Sequence, residues 1–364
     1  MYGLSVLAFA VLAVAAPAPQ RNRGGNRNGG GNGGGQQRAT AQQQAAQVPG
    51  GISQAQDGST IVDDTVNING LPIRFKVSAP ADQFMANTNI PGAAATAASN
   101  GTMGVNVLLH GDGGQSFFDF PNQNVQANTM GVVLLAPDPN LFWGGGQGLE
   151  RTDGVEHAQA VSDFVTQALP QMVAFDPNAV VFSGVSGGSL LMSGFFIPSQ
   201  MANFPNSAVE LNCGALPPQV DFVNGAQVLS QTKIHYQSTQ NELASLQQSI
   251  PQAVAAYESA AAQAGLSTNE INQLQTVDNT PQGGHCEFDG RDFVDGVQVM
   301  LSSYASVMQG GDGTVQGIGA PSNGQVRNGV VGNENLRFGA APRRRALDGE
   351  RMTVMRWAAE VAGN

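Results

Sequence analysis

Gly184-Val185-Ser186-Gly187-Gly188 follows Ala179-Val180-Val181-Phe182-Ser183, a short apolar run of strand type. It precedes Ser189-Leu190-Leu191-Met192-Ser193, which favours a helix. The pattern is G-x-S-x-G on a strand-to-helix turn. Glycines flank such a serine because its backbone is strained and because strand and helix approach too closely for a Cβ. A serine held in this way is offered as a nucleophile at the end of a strand, which points to a hydrolase.

The sequence on both sides supplies strands and helices in alternation. Thr65 to Ile68, Asn69-Gly70 and Ile73 to Val77 predict a β-hairpin with a tight turn. Val105 to Leu109 and Val132 to Ala136 predict two apolar strands, the second ended by Pro137. Residues 154–169 carry a helical period through Val155, Ala158, Val161, Phe164, Val165 and Leu169. Val209 to Leu211 and Lys233 to Gln237 predict the strands after the serine turn. Residues 241–264 predict a helix interrupted at Pro251, and 291–308 a last helix through Phe293, Val297, Met300, Leu301 and Tyr304. A hairpin followed by such alternation indicates an α/β domain over residues 52–312. Its central sheet is mostly parallel, with helices on both faces and an N-terminal β-hairpin. A chain of that size is long enough for one full core.

The remaining segments differ in composition. Residues 1–16 are uncharged, rich in Leu, Val and Ala, and end in small residues, as a secretory signal peptide does. The run is too short for a membrane anchor, Pro17 and Pro19 follow it, and no other run is long enough to span a bilayer. Residues 17–51 are a Gly/Asn/Gln-rich stretch with little to bury, expected as a disordered linker. Residues 313–364 form a Gly-rich segment and a basic tail, with Arg343-Arg344-Arg345 and a helix-like run from Met352 to Val361. They have no evident place in the domain.

The net charge of −11 argues against nucleic acid as a partner. The two cysteines, Cys213 and Cys286, fit one disulfide in an oxidising compartment, and so a secreted, extracellular protein. Asn100-Gly101-Thr102 makes Asn100 a candidate glycosylation site.

A serine hydroxyl needs a base, almost always a histidine oriented by a buried carboxylate. On a sheet of this kind the expected order is serine, acid, histidine. The chain has four histidines. His110 and His157 precede Ser186, and His235 lies within a predicted strand. His285, in Gly283-Gly284-His285-Cys286-Glu287, remains as the base. Carboxylates between Ser186 and His285 are Glu210, Asp221, Glu242, Glu258, Glu270 and Asp278. Glu242 follows the strand Lys233–Gln237 and is the expected acid. Asp221, after the preceding strand, is the alternative.

An oxyanion needs backbone donors. His110-Gly111-Asp112-Gly113-Gly114-Gln115 follows a predicted strand and precedes the aromatic run Phe117-Phe118-Asp119-Phe120. The N–H groups of Asp112, Gly113 and Gly187 are the expected oxyanion hole, with the His110 imidazole bracing the loop. A metal site at His110 and Asp112 would need a further convergent ligand, and the sequence shows none. No metal and no cofactor are expected.

In these three motifs, His110–Gln115, Gly184–Gly188 and Gly283–Asp289, the chain resembles the α/β-hydrolase superfamily. Within it, the chain resembles secreted polyhydroxybutyrate-depolymerase and feruloyl-esterase-type enzymes. The resemblance covers roughly residues 60–310. It implies Ser186 as nucleophile, His285 as base, a carboxylate at an intervening strand end, and hydrolysis of aryl-ester or polyester substrates through an acyl-enzyme. The family's acid is usually Asp, and Glu242 departs from that. A Cys213–Cys286 bond would tie the His285 loop to the top of the sheet. Phe117, Phe118, Trp143 and Phe196 are candidates for an apolar acyl or aryl pocket, with core packing as the alternative. A serine peptidase and a non-catalytic binding protein are the other classes that one such fold can serve.

Overall fold

In the computed structural model of the chain, Asn69 (φ 53°) and Gly70 (φ 88°) turn β2 (Thr60–Ile68) back into β3 (Leu71–Ala79). Two successive positive φ values match the right-handed twist of a hairpin, and Asn-Gly adopts them readily. The structure describes residues 41–55, 57–96, 100–119, 128–291, 293–308, 311–318, 326–333, 336, 338 and 339. Ahead of the hairpin come α1 (Ala41–Ala45) and β1 (Gly51–Gln54). After it the chain runs β4 (Gly104–Leu109), α2 (Gln115–Asp119), β5 (Thr129–Leu135), α3 (Gly154–Asp163) and β6 (Val180–Val185). Then follow α4 (Gly187–Leu191), α5 (Ile197–Gln200), β7 (Ala208–Asn212), α6 (Gly225–Gln231), β8 (Lys233–Gln237) and α7 (Ala244–Gln263). The last elements are α8 (Thr268–Leu274), β9 (Gln275–Asp278), α9 (Phe293–Ser302), α10 (Tyr304–Met308) and β10 (Asn328–Gly329).

The ten strands form one sheet in the order β1-β2-β3-β5-β4-β6-β7-β8-β9-β10. From β5 to β9 every pairing is parallel, and the hairpin and β10 add antiparallel edges. Strands β4 to β7 are buried along their whole length, because each face is covered by helices. One face packs on α3 to α8, through side chains such as Val161, Leu191, Ile197, Val228, Tyr257 and Ile271. The other packs on Ala45, Phe117, Val297, Met300, Val307 and Met308. The expected mostly parallel sheet with helices on both faces and a hairpin at its start is therefore present. Strand β4 precedes both its neighbours β5 and β6, so the chain order reverses around it. The loops after β4 and β6 meet at such a switch point, on the carboxyl ends of the strands, where open α/β sheets bind ligands.

Several elements depart from expectation. Helix α7 runs unbroken through Pro251, whose missing N–H costs one bond. The buried face of Leu246, Ile250, Ala253, Val254 and Tyr257 holds the helix on the sheet. The last helix divides into α9 and α10, and α8, β1, β9 and β10 add elements beyond those expected. The chain is also held earlier than residue 52: the Arg74 guanidinium donates to the carbonyls of Ala45 (2.8 Å) and Val48 (3.0 Å). Val315, Ile318 and Val326 are buried in the second core cluster, so part of the segment after residue 312 packs on the domain. Residues 1–16, Phe120, Arg343 to Arg345 and 352–361 lie outside the described residues.

One core residue makes stability depend on pH. Glu210 on β7 is fully buried, and the neighbouring Asn212 side chain offsets only part of the cost of charging it there. Burial pushes its pKa up to about 8. Between its ordinary value, 4.5, and about 8 the folded chain holds a proton that the unfolded chain lacks. Stability contributed by this proton is full below the ordinary value and is lost as pH rises toward 8, at about 1.4 kcal/mol per pH unit. Glu210→Gln, a neutral isostere, is therefore expected to match the native chain in urea unfolding near pH 5. Near pH 8 it should exceed the native chain by a few kcal/mol.

Candidate active site

Ser186 stands between β6 and α4 with φ 48° and ψ −111°, a conformation that L-residues rarely hold. Its N–H donates to the Asn212 carbonyl at 2.8 Å, and its own carbonyl accepts from Leu190 N–H at 3.0 Å, so strand β7 and helix α4 fix the turn. The flanking glycines are steric requirements. A Cβ on Gly184 would lie 2.7 Å from the Ser189 backbone, and one on Gly188 would lie 2.2 Å from the Leu109 carbonyl.

His285 and Glu242 come from two loops that zip together at the carboxyl end of the sheet. Ser238 N–H donates to Asp278 O (2.9 Å), Gln240 N–H to Pro281 O (2.9 Å) and Asn241 N–H to Gly283 O (3.2 Å). The Thr239 hydroxyl donates to Gly284 O at 2.8 Å. This zipper sets Glu242 beside His285. His285 Nε2 lies 2.9 Å from Ser186 Oγ, and its Nδ1 is hydrogen-bonded to Glu242 Oε1. The same Oε1 accepts Leu243 N–H at 2.8 Å, which aims the carboxylate. Glu242 is buried, while the His285 side chain is 21% exposed and so reachable by a reactant. A serine, a histidine and a carboxylate in this geometry can pass a proton from the hydroxyl to the imidazole.

Donors for an oxyanion lie next to the serine. The N–H groups of Asp112 and Gly187 meet no acceptor among the described residues, and Asp112 N is 3.2 Å from where a Cβ on Gly187 would stand. Gly113 departs from expectation: its N–H already donates to the Leu141 carbonyl at 3.2 Å, so it is no oxyanion donor. The loop is braced by His110, whose Nδ1–H donates to Gly111 O (2.6 Å) and whose Nε2 accepts Ala136 N–H (2.9 Å). Burial lowers the His110 pKa to about 4, so the ring is neutral and can hold both bonds.

The other residues singled out in the sequence are placed as follows. Asp221 is exposed on the loop after β7. Asp278 closes β9 and is buried, accepting from Gln237 Nε2 (3.0 Å) and from Thr280. Cys213 and Cys286 are disulfide-bonded, their Cα atoms 5.4 Å apart, across 73 residues of chain. Closing a loop of that length stabilises the fold by roughly 4 kcal/mol through the unfolded state. Asn100 is exposed.

Of the two readings open for the four aromatic residues, core packing holds for three. Phe117, Trp143 and Phe196 are fully buried. Phe196 packs on Phe182 and Phe204, Trp143 between His110 and His157, and Phe117 under the Lys76 ammonium. Phe118 lies edge-on against Phe117. Phe117, Trp143 and Phe196 are core, and Phe118 is only partly buried against it.

One residue was not visible in the sequence. Arg151 forms a bidentate ion pair with Asp112, both bonds 2.8 Å. The only local signal was the glycine run Gly144–Gly148 just before it.

The sheet order, the serine turn after β6 and the histidine loop after the last parallel strand define an α/β-hydrolase fold. No family model matches the chain, and no curated protein matches it. Solved structures do. A thermostable esterase aligns at 13% identity and TM-score 0.44 over 66% of this chain, and the match spans 61% of that protein. A ferulic acid esterase aligns at 15% identity and TM-score 0.43, over 67% of this chain and 95% of its own. An esterase from Rhizomucor miehei aligns at 12% identity and TM-score 0.42, over 72% and 88% respectively. Likeness of this degree carries no argument; the fold rests on the sheet order and the chemistry on the residues of the site.

Proposed function

We propose that the chain is a secreted serine hydrolase of carboxylic esters, of aryl-ester or polyester type, working through Ser186, His285 and Glu242. The observation that carries the reading is the continuous line from Ser186 Oγ to His285 Nε2 (2.9 Å), and from His285 Nδ1 to the buried Glu242 carboxylate. Ser186 Oγ attacks the ester carbonyl carbon while His285 Nε2 takes the hydroxyl proton. Glu242 holds the imidazole in the required tautomer and stabilises its cation. The carbonyl oxygen becomes an oxyanion that accepts from Asp112 N–H and Gly187 N–H. The C–O bond to the alcohol then breaks, and the alcohol leaves with the proton from His285. Water, deprotonated by the same nitrogen, attacks the acyl-serine. The acid departs and Ser186 regains its proton. The scheme needs no cofactor.

Secretion is part of the proposal. It is supported by residues 1–16 and by the Cys213–Cys286 bond, which persists in oxidising compartments. Asn100, exposed and within a sequon, would then carry a glycan. Among the described residues no helix is long and apolar enough to cross a membrane.

A panel of aryl esters, soluble polyester oligomers and peptide amides tests the reading. The expected result is turnover of esters that depends on Ser186, with amides left intact. Ser186-dependent cleavage of amides would make the protein a peptidase, and inertness toward the whole panel would leave a binding protein.

A further inference from the structure

Resting on the esterase reading, we propose that Arg151 is a positioning residue for the oxyanion hole. It would act by holding Asp112, whose backbone N–H is the donor partnering that of Gly187. Three observations converge on it. The Arg151 side chain is 1% exposed, yet it reaches from the loop before α3 to a carboxylate at the mouth of the site that is 27% exposed. Both terminal nitrogens of its guanidinium are directed: Nη1 donates to Asp112 Oδ1 (2.8 Å) and Trp143 O (3.2 Å), and Nη2 to Asp112 Oδ2 (2.8 Å) and Gly148 O (2.8 Å), while the buried Nε–H meets no acceptor among the described residues. The glycine run forms the turn that brings Arg151 to this place. Gly144, Gly145, Gly146 and Gly148 all have positive φ, and a Cβ on Gly144 would stand 2.9 Å from Arg151 Cβ.

The Asp112 carboxylate itself sits against the nucleophile turn. A Cβ on Gly187 would lie 1.9 Å from Asp112 Oδ1. A carboxylate so close to a developing oxyanion opposes it unless a cation neutralises the charge. The Arg151 fork does this and at the same time fixes the carboxylate in one plane. With Gly113 N–H tied to Leu141 on the other side, Asp112 is held from both ends. Its N–H is thereby preorganised before charge develops, which is where such donors gain their effect.

The test measures kcat and KM on a soluble aryl ester for the full-length protein, its Arg151→Met and Arg151→Lys variants, and the double variant Arg151→Met/Asp112→Asn. Active sites are counted by titration with a fluorophosphonate, so that only competent molecules enter kcat. The expected loss in Arg151→Met is about 100-fold in kcat, with KM changed less than about threefold. Arg151→Lys keeps the charge without the fork and should lose about tenfold. Removing the stranded carboxylate in the double variant should restore about tenfold over Arg151→Met, a coupling that a purely structural arginine would not show.

Native kcat per site in Arg151→Lys overturns the proposal. If Arg151→Met folds, so does native kcat in that variant, or a double variant no faster than it. Native protein that is neither labelled nor active overturns the esterase reading instead, so the two failures are distinct.

Discussion

Ser186→Ala is expected to lower kcat/KM on any turned-over ester by about 10⁶-fold while leaving the fold intact. The size follows from the geometry. Ser186 Oγ is the atom that lies 2.9 Å from His285 Nε2, and the flanking glycines hold the serine backbone at φ 48° against that imidazole. Removing the hydroxyl leaves only the oxyanion donors and substrate binding, which retain a small residual rate over water. Thermal unfolding should change by little, because the Ser186 N–H bond to Asn212 and the α4 start are backbone interactions that alanine keeps. Parallel loss of rate and of folded protein would instead assign Ser186 to structure.

Glu242→Gln is expected to cost about 10⁴-fold in kcat with the fold preserved. A neutral amide in that place can present its N–H to His285 Nδ1 and so favour the wrong tautomer. It also removes the negative charge that stabilises the imidazolium. The companion measurement is Asp221→Asn. That residue is exposed and is expected to turn over as the native protein does. Near-native turnover in Glu242→Gln, with loss in Asp221→Asn, would reverse the assignment of the acid.

Much of this site could be read from local patterns because its parts are tied to strand ends. Ser186 was marked by glycines whose necessity is steric, and the contacts around Gly184 and Gly188 show why. Order along the chain marks His285, and the place after the strand Lys233–Gln237 marks Glu242. What stayed hidden depends on contacts between distant segments. Strand β9, Gln275-Thr276-Val277-Asp278, has one apolar residue, so no periodicity marks it. It is buried because Thr276 hydrogen-bonds His235 (2.9 Å) and Asp278 takes the Gln237 amide (3.0 Å), partners about forty residues away. Helix α8 did carry a local mark, the capping box of Ser267 and Glu270, on a helix too short for an apolar period. Gly113 looked like a donor because the loop sequence does not reveal that Leu141 O takes its N–H. Phe117, Trp143 and Phe196 are open to a pocket reading in the sequence because a sequence does not say which way a ring turns. Arg151 pairs across 39 residues with Asp112, and only the intervening glycine run hinted at a folded loop.

The central claim is that Ser186 is a nucleophile activated in place by His285. Treating the native, full-length chain with a fluorophosphonate, then mapping the adduct by peptide mass spectrometry, tests it most directly. The account predicts one adduct, on the peptide bearing Ser186, and none when His285 is replaced by Ala. An unlabelled native chain, or an adduct on a different serine, would contradict it.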